Sequence, residues 1–470
     1  MAPDFRKLTL ADLILNRKES FTFRIILAAF GIALRLFFRR IETVNADVVP
    51  KNGGLIFVLN HPNGLIDAAM VFVAMPRKIS FLAKSTLFQM PVISFLLRTV
   101  AALPLYRRID AGEDVSKNQK TFEACRELLQ NGGSIAMFPE GVSHNSPKLL
   151  PAKTGAARIA LGTTSVIGEV PPVEVEIVPV GLFYTNKTNF RSEALLHFGE
   201  PFHVVPVAPD ADGEPPRVAV NELTEKIENA LREVTLNAET DAELHTAAVA
   251  ERIFSSAMEN ENLGEKFEFL QKFVVGNTGT NEMLETRLHA YDRKLGDHGI
   301  EPEHLSLAQF SRRVVVKQAV IQTWVLIMLL PLSIPGTILH FPAYNLCDIF
   351  SRIYARHGAD DVASTVKVLA GMLFMPLTWL VIAAALYFFF GWKTALISIP
   401  VSVICGYAAL YSLEEMAELR GWAKAIWLFL TKREVFLRMF VERRELQVQL
   451  QEFGTQAASF PVGPQAPSLQ

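Results

Sequence analysis

The sequence predicts an α/β fold, a mixed sheet flanked by helices, followed by a helical appendage and C-terminal membrane helices. Three observations lead there. Between Val44 and Val205, strand-like apolar runs alternate with helix-like stretches. From Val218 to about Ser256, charged residues fall on one side and Val, Leu, Ile and Ala recur at helical spacing. Val368–Trp392 carries no charge, and as a helix it would span about 37 Å, more than a bilayer's hydrocarbon core.

Composition agrees with that division. Of 470 residues, 50% are hydrophobic, and mean hydropathy is +0.24, between a soluble enzyme and a polytopic transporter. A net charge of −2 excludes a general nucleic-acid binder. Cys125, Cys347 and Cys405 lie far apart, the last two in apolar runs, which suggests neither a disulfide framework nor a zinc site. The first residues, with Asp4, Arg6, Lys7 and Asp12, show no secretory cleavage pattern.

Residues 1–43 form the first region. Phe21–Phe38 is apolar but interrupted by Arg24 and Arg35, and its charge-free part is too short to span a bilayer. It reads as a helix in the headgroup region with snorkelling arginines; the plainer alternative is an amphipathic helix packed on its own domain.

Residues 44–205 form the α/β domain. Its clearest strands are Leu55–Leu59, Ser134–Phe138 and Glu176–Gly181, with helices around Lys117–Gln130 and Lys153–Leu161. Four stations carry chemistry. Leu55–Leu59 ends in Asn60 and His61, then Pro62, Asn63 and Gly64 break the strand before an apolar segment carrying Asp67. A carboxylate that takes the proton of one imidazole nitrogen leaves the other free as a base; the bland reading is a surface histidine beside a capping aspartate. In a regular helix, residues six apart point away from each other. The pair therefore requires Pro62–Gly64 to be a loop or irregular first turn. Ala101–Leu105 delivers Tyr106, Arg107 and Arg108 to its end, guanidinium groups suited to phosphate or merely to a solvated strand end. Met137-Phe138-Pro139 leads to Glu140 and Gly141, and Ile177–Gly181 is a strand running into a tight exit.

In order and spacing, these stations resemble the four sequence blocks of the glycerolipid acyltransferase superfamily, over roughly Ile56 to Phe202. In that superfamily four residues separate the His from the Asp; here there are five, from Pro62 to Ile66. The longer gap resembles the fungal-type glycerol-3-phosphate/dihydroxyacetone-phosphate acyltransferases and their bacterial relatives. A weaker likeness to that branch lies in Ile334-Pro335-Gly336, Pro342 and Asp361–Leu369.

The resemblance implies a membrane-bound acyltransferase with His61 as base and Asp67 as its orienter. Backbone N–H groups near Asn63 and Gly64 would hold the oxyanion. Arg107, helped by Lys84 or Arg108, would grip a phosphate, and Glu140 and Gly141 would line the acceptor site. The implied substrates are acyl-CoA or acyl carrier protein and glycerol 3-phosphate or dihydroxyacetone phosphate. The thioester is already activated, so no metal or other cofactor is expected. Lysophosphatidate acylation at sn-2 and a non-catalytic lipid-binding protein are the rivals. Other schemes fail: Gly141-Val142-Ser143-His144-Asn145 has Asn where a serine nucleophile elbow needs Gly, and no HExxH motif occurs.

Residues 206–317 read as a Pro/Asp/Gly-rich linker and the helical appendage. Residues 318–413 read as the membrane region. Gln318–Cys347 is uncharged but carries Pro331, Pro335 and Pro342, which favours a broken or re-entrant helix. Val368–Trp392 and Thr394–Leu413 read as a hairpin turning at Lys393. The basic clusters flanking these segments all lie on the cytosolic side, with the catalytic domain, if the first segment does not cross. Residues 414–455, chiefly Trp422–Leu450, read as a basic amphipathic helix on the membrane surface, and 456–470 as a disordered tail.

Overall fold

The computed structural model describes residues 20–89, 91–107, 114–165, 173–256, 262–276, 282–305, 312–355 and 360–457. The expectations for Arg108, the first 19 residues and the tail from 458 lie outside these. The chain divides into two compact units. The first holds residues 1–239 and 360–365, and the second holds 240–359 and 366–461.

The first unit is built on a mixed eight-stranded sheet. In chain order the strands are β1 (Phe38–Val44), β2 (Gly54–Leu59), β3 (Ser80–Lys84), β4 (Leu103–Leu105), β5 (Ser134–Met137), β6 (Val175–Tyr184), β7 (Ser192–Phe198) and β8 (Phe202–His203). Their spatial order is β1-β7-β6-β2-β5-β3-β4, with β8 on β6. The three strands clearest in the sequence are the adjacent centre. β2 pairs in parallel with both β6 and β5, and every residue of β2 is buried, as a strand covered on both faces requires.

Helices α1 (Phe21–Phe37), α2 (Gly64–Ala74), α3 (Pro91–Thr99), α4 (Asn118–Gln130), α5 (Gly155–Thr164) and α6 (Arg217–Val234) complete the unit. The sequence suggests one helical run from Val218 to Ser256, but the helix stops at Val234 and a new one starts after the Thr240 cap. Val220, Leu223, Ile227, Leu231 and Val234 of α6 belong to the same core as Ile56, Val58 and Ile177. That helix is part of the α/β unit rather than of an appendage. On α1, Phe23, Ile26, Leu27 and Leu34 are buried, with Phe23 edge-on to Phe72 at 5.2 Å. Its Phe21, Ile25, Ile32 and Leu36 are exposed, so the helix is apolar on both sides.

β2, β3, β4 and β5 are mutually parallel neighbours, with Val58 opposite Met137 and Lys84 opposite Leu105. Their C-terminal ends therefore open at one sheet edge. Asn60–His61, Lys84, Arg107 and Phe138–Gly141 all follow from that edge, the usual place for a site in an open α/β sheet.

The second unit is helical: α7 (Asp241–Ser255), α8 (Leu263–Gly276), α9 (Glu282–His298), α10 (Arg312–Ala355), most of α11 (Asp360–Phe390), α12 (Trp392–Thr431) and α13 (Arg433–Ala457). Among the described residues, three helices are long and apolar enough to cross a membrane: Val320–Ile353, Ala363–Phe390 and Trp392–Thr431. The prolines do not break α10, which runs unbroken through Pro331, Pro335 and Pro342. The two segments expected to form a hairpin are helices α11 and α12, which join at Gly391 with φ +87°, but the helix along which α12 packs is α10 rather than α11.

The expected surface helix is also different. The chain breaks at Lys432 rather than running as one helix from Trp422. Phe436, Met439, Leu446 and Leu450 of α13 are buried. Arg443 donates to the Pro302 carbonyl at 2.7 Å and Gln447 to the Ile253 carbonyl at 2.8 Å. Its apolar stripe is covered by protein.

Where α10 meets α12, small residues set the distance. A Cβ at Gly336 would lie 2.0 Å from the Cys405 carbonyl oxygen, and one at Gly406 2.9 Å from the His340 ring. His340 donates from Nδ1 to the Gly336 carbonyl at 2.8 Å and accepts the Trp379 indole N–H at 2.8 Å. All polar atoms of that ring are used.

Candidate active site

The exit of β2 is fixed before His61 is reached. Asn60 donates its side-chain amide to the Leu182 carbonyl at 3.0 Å and accepts the Leu182 N–H at 2.7 Å. It thus imitates one more rung of the sheet. The backbone N–H of His61 donates to Glu140 at 2.9 Å, and its carbonyl accepts the His144 N–H at 3.2 Å. The imidazole stacks on Phe138, with ring centroids 3.9 Å apart and planes 11° from parallel. Position and plane are both set by β5 and the loop after it.

His61 Nδ1 and Asp67 Oδ2 are 2.9 Å apart. The turn that permits this has Asn63 at φ −143° and Gly64 in the left-handed region at φ +52°, and α2 starts at Gly64. Glycine occupies such a conformation without the cost a side chain imposes. Asp67 then lies in the first turn, where a carboxylate is favoured and accepts the Asn63 N–H at 2.7 Å. Its other oxygen accepts the Tyr184 hydroxyl at 2.6 Å. Burial, and then the charge and hydrogen bond of Asp67, hold the Tyr184 phenol well above its usual pKa, so it stays a donor. Asp67 is fully buried while the His61 side chain is 19% exposed. With Nδ1–H given to Asp67, Nε2 is the nitrogen left to accept a proton.

Tyr184 went unnoticed in the sequence, and Asn60 was read only as the polar end of its strand. The reason lies in β6, which does not exit at Gly181 but continues to Tyr184. Gly181 serves a close approach instead: a Cβ there would lie 1.7 Å from the Val234 carbonyl oxygen of α6.

Glu140 does not line an open acceptor site. It is buried, with one oxygen on the His61 N–H and the other accepting from the Leu150 N–H at 2.8 Å and from His144 Nε2. His144 in turn accepts the Ser146 N–H on Nδ1 at 3.1 Å. Glu140 braces the histidine's backbone. Gly141 has φ +74°, and its carbonyl accepts from Arg107 at 2.7 Å. A Cβ at Gly141 would lie 2.5 Å from Lys153 Nζ, so Arg107 and Lys153 meet at this glycine. Lys153 is a cation that the sequence reading passed over. Lys84, at the end of β3, is beside the strand that leads to Arg107.

The turn amides divide unequally. Asn63 N–H is taken by Asp67, Leu65 N–H by Thr365 and Ile66 N–H by the Asn63 carbonyl. Among the described residues, Gly64 N–H is the turn amide that meets no protein acceptor. The Asn63 side chain is buried, reaching the Lys187 carbonyl at 3.4 Å.

Comparison with known proteins finds family matches along two stretches of the chain. Residues 40–182 match the acyltransferase family, and residues 248–458 match the glycerol-3-phosphate acyltransferase 2 C-terminal domain. Glycerol-3-phosphate O-acyltransferase 2 of Saccharomyces cerevisiae is 28% identical over 279 residues, 56% of this chain and 37% of that protein. Glycerol-3-phosphate O-acyltransferase 1 of the same yeast is 29% identical over 276 residues, 54% and 35% of the two chains. A chloroplastic 1-acyl-sn-glycerol-3-phosphate acyltransferase of Brassica napus is 29% identical over 146 residues, 31% of this chain and 38% of that one. The aligned part thus spans little more than a third of each of these relatives.

Proposed function

We propose, from the premise that this chain belongs to the acyltransferase family, that it transfers a fatty acyl group from a thioester to the sn-1 hydroxyl of glycerol 3-phosphate or dihydroxyacetone phosphate. The observation that carries the chemistry is the His61–Asp67 contact at 2.9 Å, made through Nδ1 by a side chain that is partly exposed. His61 takes the proton of the attacking hydroxyl through Nε2. Asp67 fixes the tautomer and stabilises the imidazolium that forms. The hydroxyl oxygen adds to the thioester carbonyl, and the Gly64 N–H supports the resulting oxyanion. Collapse breaks the C–S bond, and His61 returns its proton to the departing thiolate. Each proton is balanced within this cycle, and the reading calls for no metal or redox group.

Arg107, with Lys84, Arg108 and Lys153, supplies the positive charge for the acceptor phosphate. Arg107 suits that task because the Gly141 carbonyl holds its guanidinium in place beside Lys153. The donor is acyl-CoA or acyl carrier protein, with the α/β unit on the cytosolic face of the host membrane.

The second reading is acylation of lysophosphatidate at sn-2, favoured by the likeness to the Brassica napus protein. That likeness covers only 31% of this chain, whereas the first reading also has the match over residues 248–458 behind it. The deciding experiment supplies purified full-length protein with labelled acyl-CoA and, in turn, glycerol 3-phosphate, dihydroxyacetone phosphate and 1-acylglycerol 3-phosphate. Product from one of the first two at the higher kcat/KM is expected. Turnover of the third alone would replace the first reading with the second.

A further inference from the structure

The start of α2 has a missing cap and a replacement from far away in sequence. Asn63 occupies the N-cap position, where its side chain would ordinarily accept an amide of the first turn. It makes no such bond; its Nδ2 points to the Lys187 carbonyl and its Oδ1 is buried without a partner. The Leu65 N–H, one of the amides a helix start leaves unpaired, donates instead to Thr365 Oγ1 at 3.2 Å. Next to it, the fully buried Ser364 donates its hydroxyl to the same Lys187 carbonyl that Asn63 reaches. Residues 360–365 belong to the α/β unit although the rest of α11 does not. Both hydroxyls sit inside the helix rather than at its cap, so neither is needed to start α11 itself.

We propose that Thr365 and Ser364 are positioning residues for acyl transfer. They hold Pro62–Leu65 so that His61 faces Asp67 and the Gly64 amide stays directed at the oxyanion. Thr365 caps the helix that carries Asp67, and Ser364 shares the Lys187 carbonyl with Asn63, whose own N–H is on Asp67. Loosening either contact frees the backbone between the base and its orienter while leaving the cationic end of the site, Arg107 and Lys153, untouched. The expected signature is therefore a loss in kcat without a matching rise in KM for the acceptor. This proposal rests on the acyl-transfer reading for its kinetic arm only.

The test uses full-length protein in phospholipid vesicles, with Thr365→Val, Thr365→Ser and Ser364→Ala. The control is Thr378→Val, because that hydroxyl bonds only to the Phe374 carbonyl of its own helix turn. Thr365→Val should lower kcat about tenfold, the factor that about 1.4 kcal/mol of lost transition-state stabilisation produces. KM for the acceptor should change by less than about twofold. Thr365→Ser, which keeps the oxygen, should recover most of the rate, and Thr378→Val should match wild type. Independently of any substrate, hydrogen–deuterium exchange of a peptide spanning residues 60–70 should speed up in Thr365→Val and not in Thr378→Val. Unchanged exchange and unchanged kcat in Thr365→Val would overturn the proposal, as would an equal loss in the Thr378→Val control. If wild type acylates none of the three acceptors, the functional reading fails and the exchange measurement still decides this one.

Discussion

The turn after β2 and the crossing of α10 with α12 both bring backbones close together, by opposite means. In the turn, position is set by polar contacts, some local and some from distant strands: Asp67 with His61, Asn63 and Tyr184, Glu140 with His61, Leu150 and His144. At the crossing, position is set by what glycine lacks, with the Cys405 carbonyl where a Gly336 side chain would be. A polar network of the first kind can lose one member and keep its shape while its chemistry suffers. Contact of the second kind is indifferent to chemistry and intolerant of volume.

The largest expected effect breaks the first region chemically and leaves it standing. His61→Ala should reduce acyl transfer by about 100- to 10,000-fold, the usual contribution of a positioned general base. The fold should survive, because Glu140 and His144 hold the His61 backbone rather than its ring. Acyl transfer and circular dichroism on the same preparation check both halves; retention of more than about a tenth of the activity would refute the role.

The helix crossing should behave in reverse. Gly336→Val introduces atoms into the Cys405 carbonyl, and overpacking of this kind costs about 1–3 kcal/mol or more. Gly371 on α11 has no atom within 4 Å of a Cβ position, so Gly371→Ala should be neutral or gain up to about 1 kcal/mol from helix propensity. Melting in detergent micelles separates the two. Equal melting temperatures would mean that the small residues do not set this contact.

Tyr184→Phe tests whether the polar network acts as a unit. A hydrogen bond to a charged group contributes about 1.5–3 kcal/mol. Asp67 keeps the Asn63 N–H, so the lower end applies, about a tenfold fall in kcat with little change in acceptor KM. An unchanged kcat would confine Tyr184 to packing.

Much of the α/β unit was legible from periodicity, and the His61–Asp67 contact from chemistry alone. Two residues six apart can meet only through an irregular turn, and Pro62–Gly64 is that turn. Tyr184 was not legible because the partner of Asp67 depends on strand register across 117 residues, and nothing local to either residue encodes it. Thr365 is 300 residues from Leu65 and was hidden for the same reason. Glu140 was assigned by resemblance to the acceptor site, whereas its oxygens are used on backbone amides and His144. The prolines of α10 misled in the other direction, since the helix runs unbroken through all three of them.

The smallest expected effect extends the comparison to a polar contact remote from the site, between β1 and β7. Glu193 accepts from Arg39 at 3.0 Å and from Arg40 at 3.1 Å, and the Arg40 guanidinium also lies 3.4 Å from Glu42. Burial alone would raise the Glu193 pKa, but the two arginines outweigh it and hold the carboxyl below its usual value. A carboxyl depressed in the folded state contributes stability that is fully present above its unfolded pKa, about 4.3, and is lost as pH falls through the folded value. Arg39 is 62% exposed, so solvent screens much of the pair and about 1 kcal/mol or less is expected at neutral pH. Glu193→Gln should therefore melt slightly below wild type at pH 7, and the gap should shrink as pH is lowered beneath about 4. A gap that stayed constant from pH 7 to pH 3 would assign the loss to hydrogen-bond geometry instead of charge.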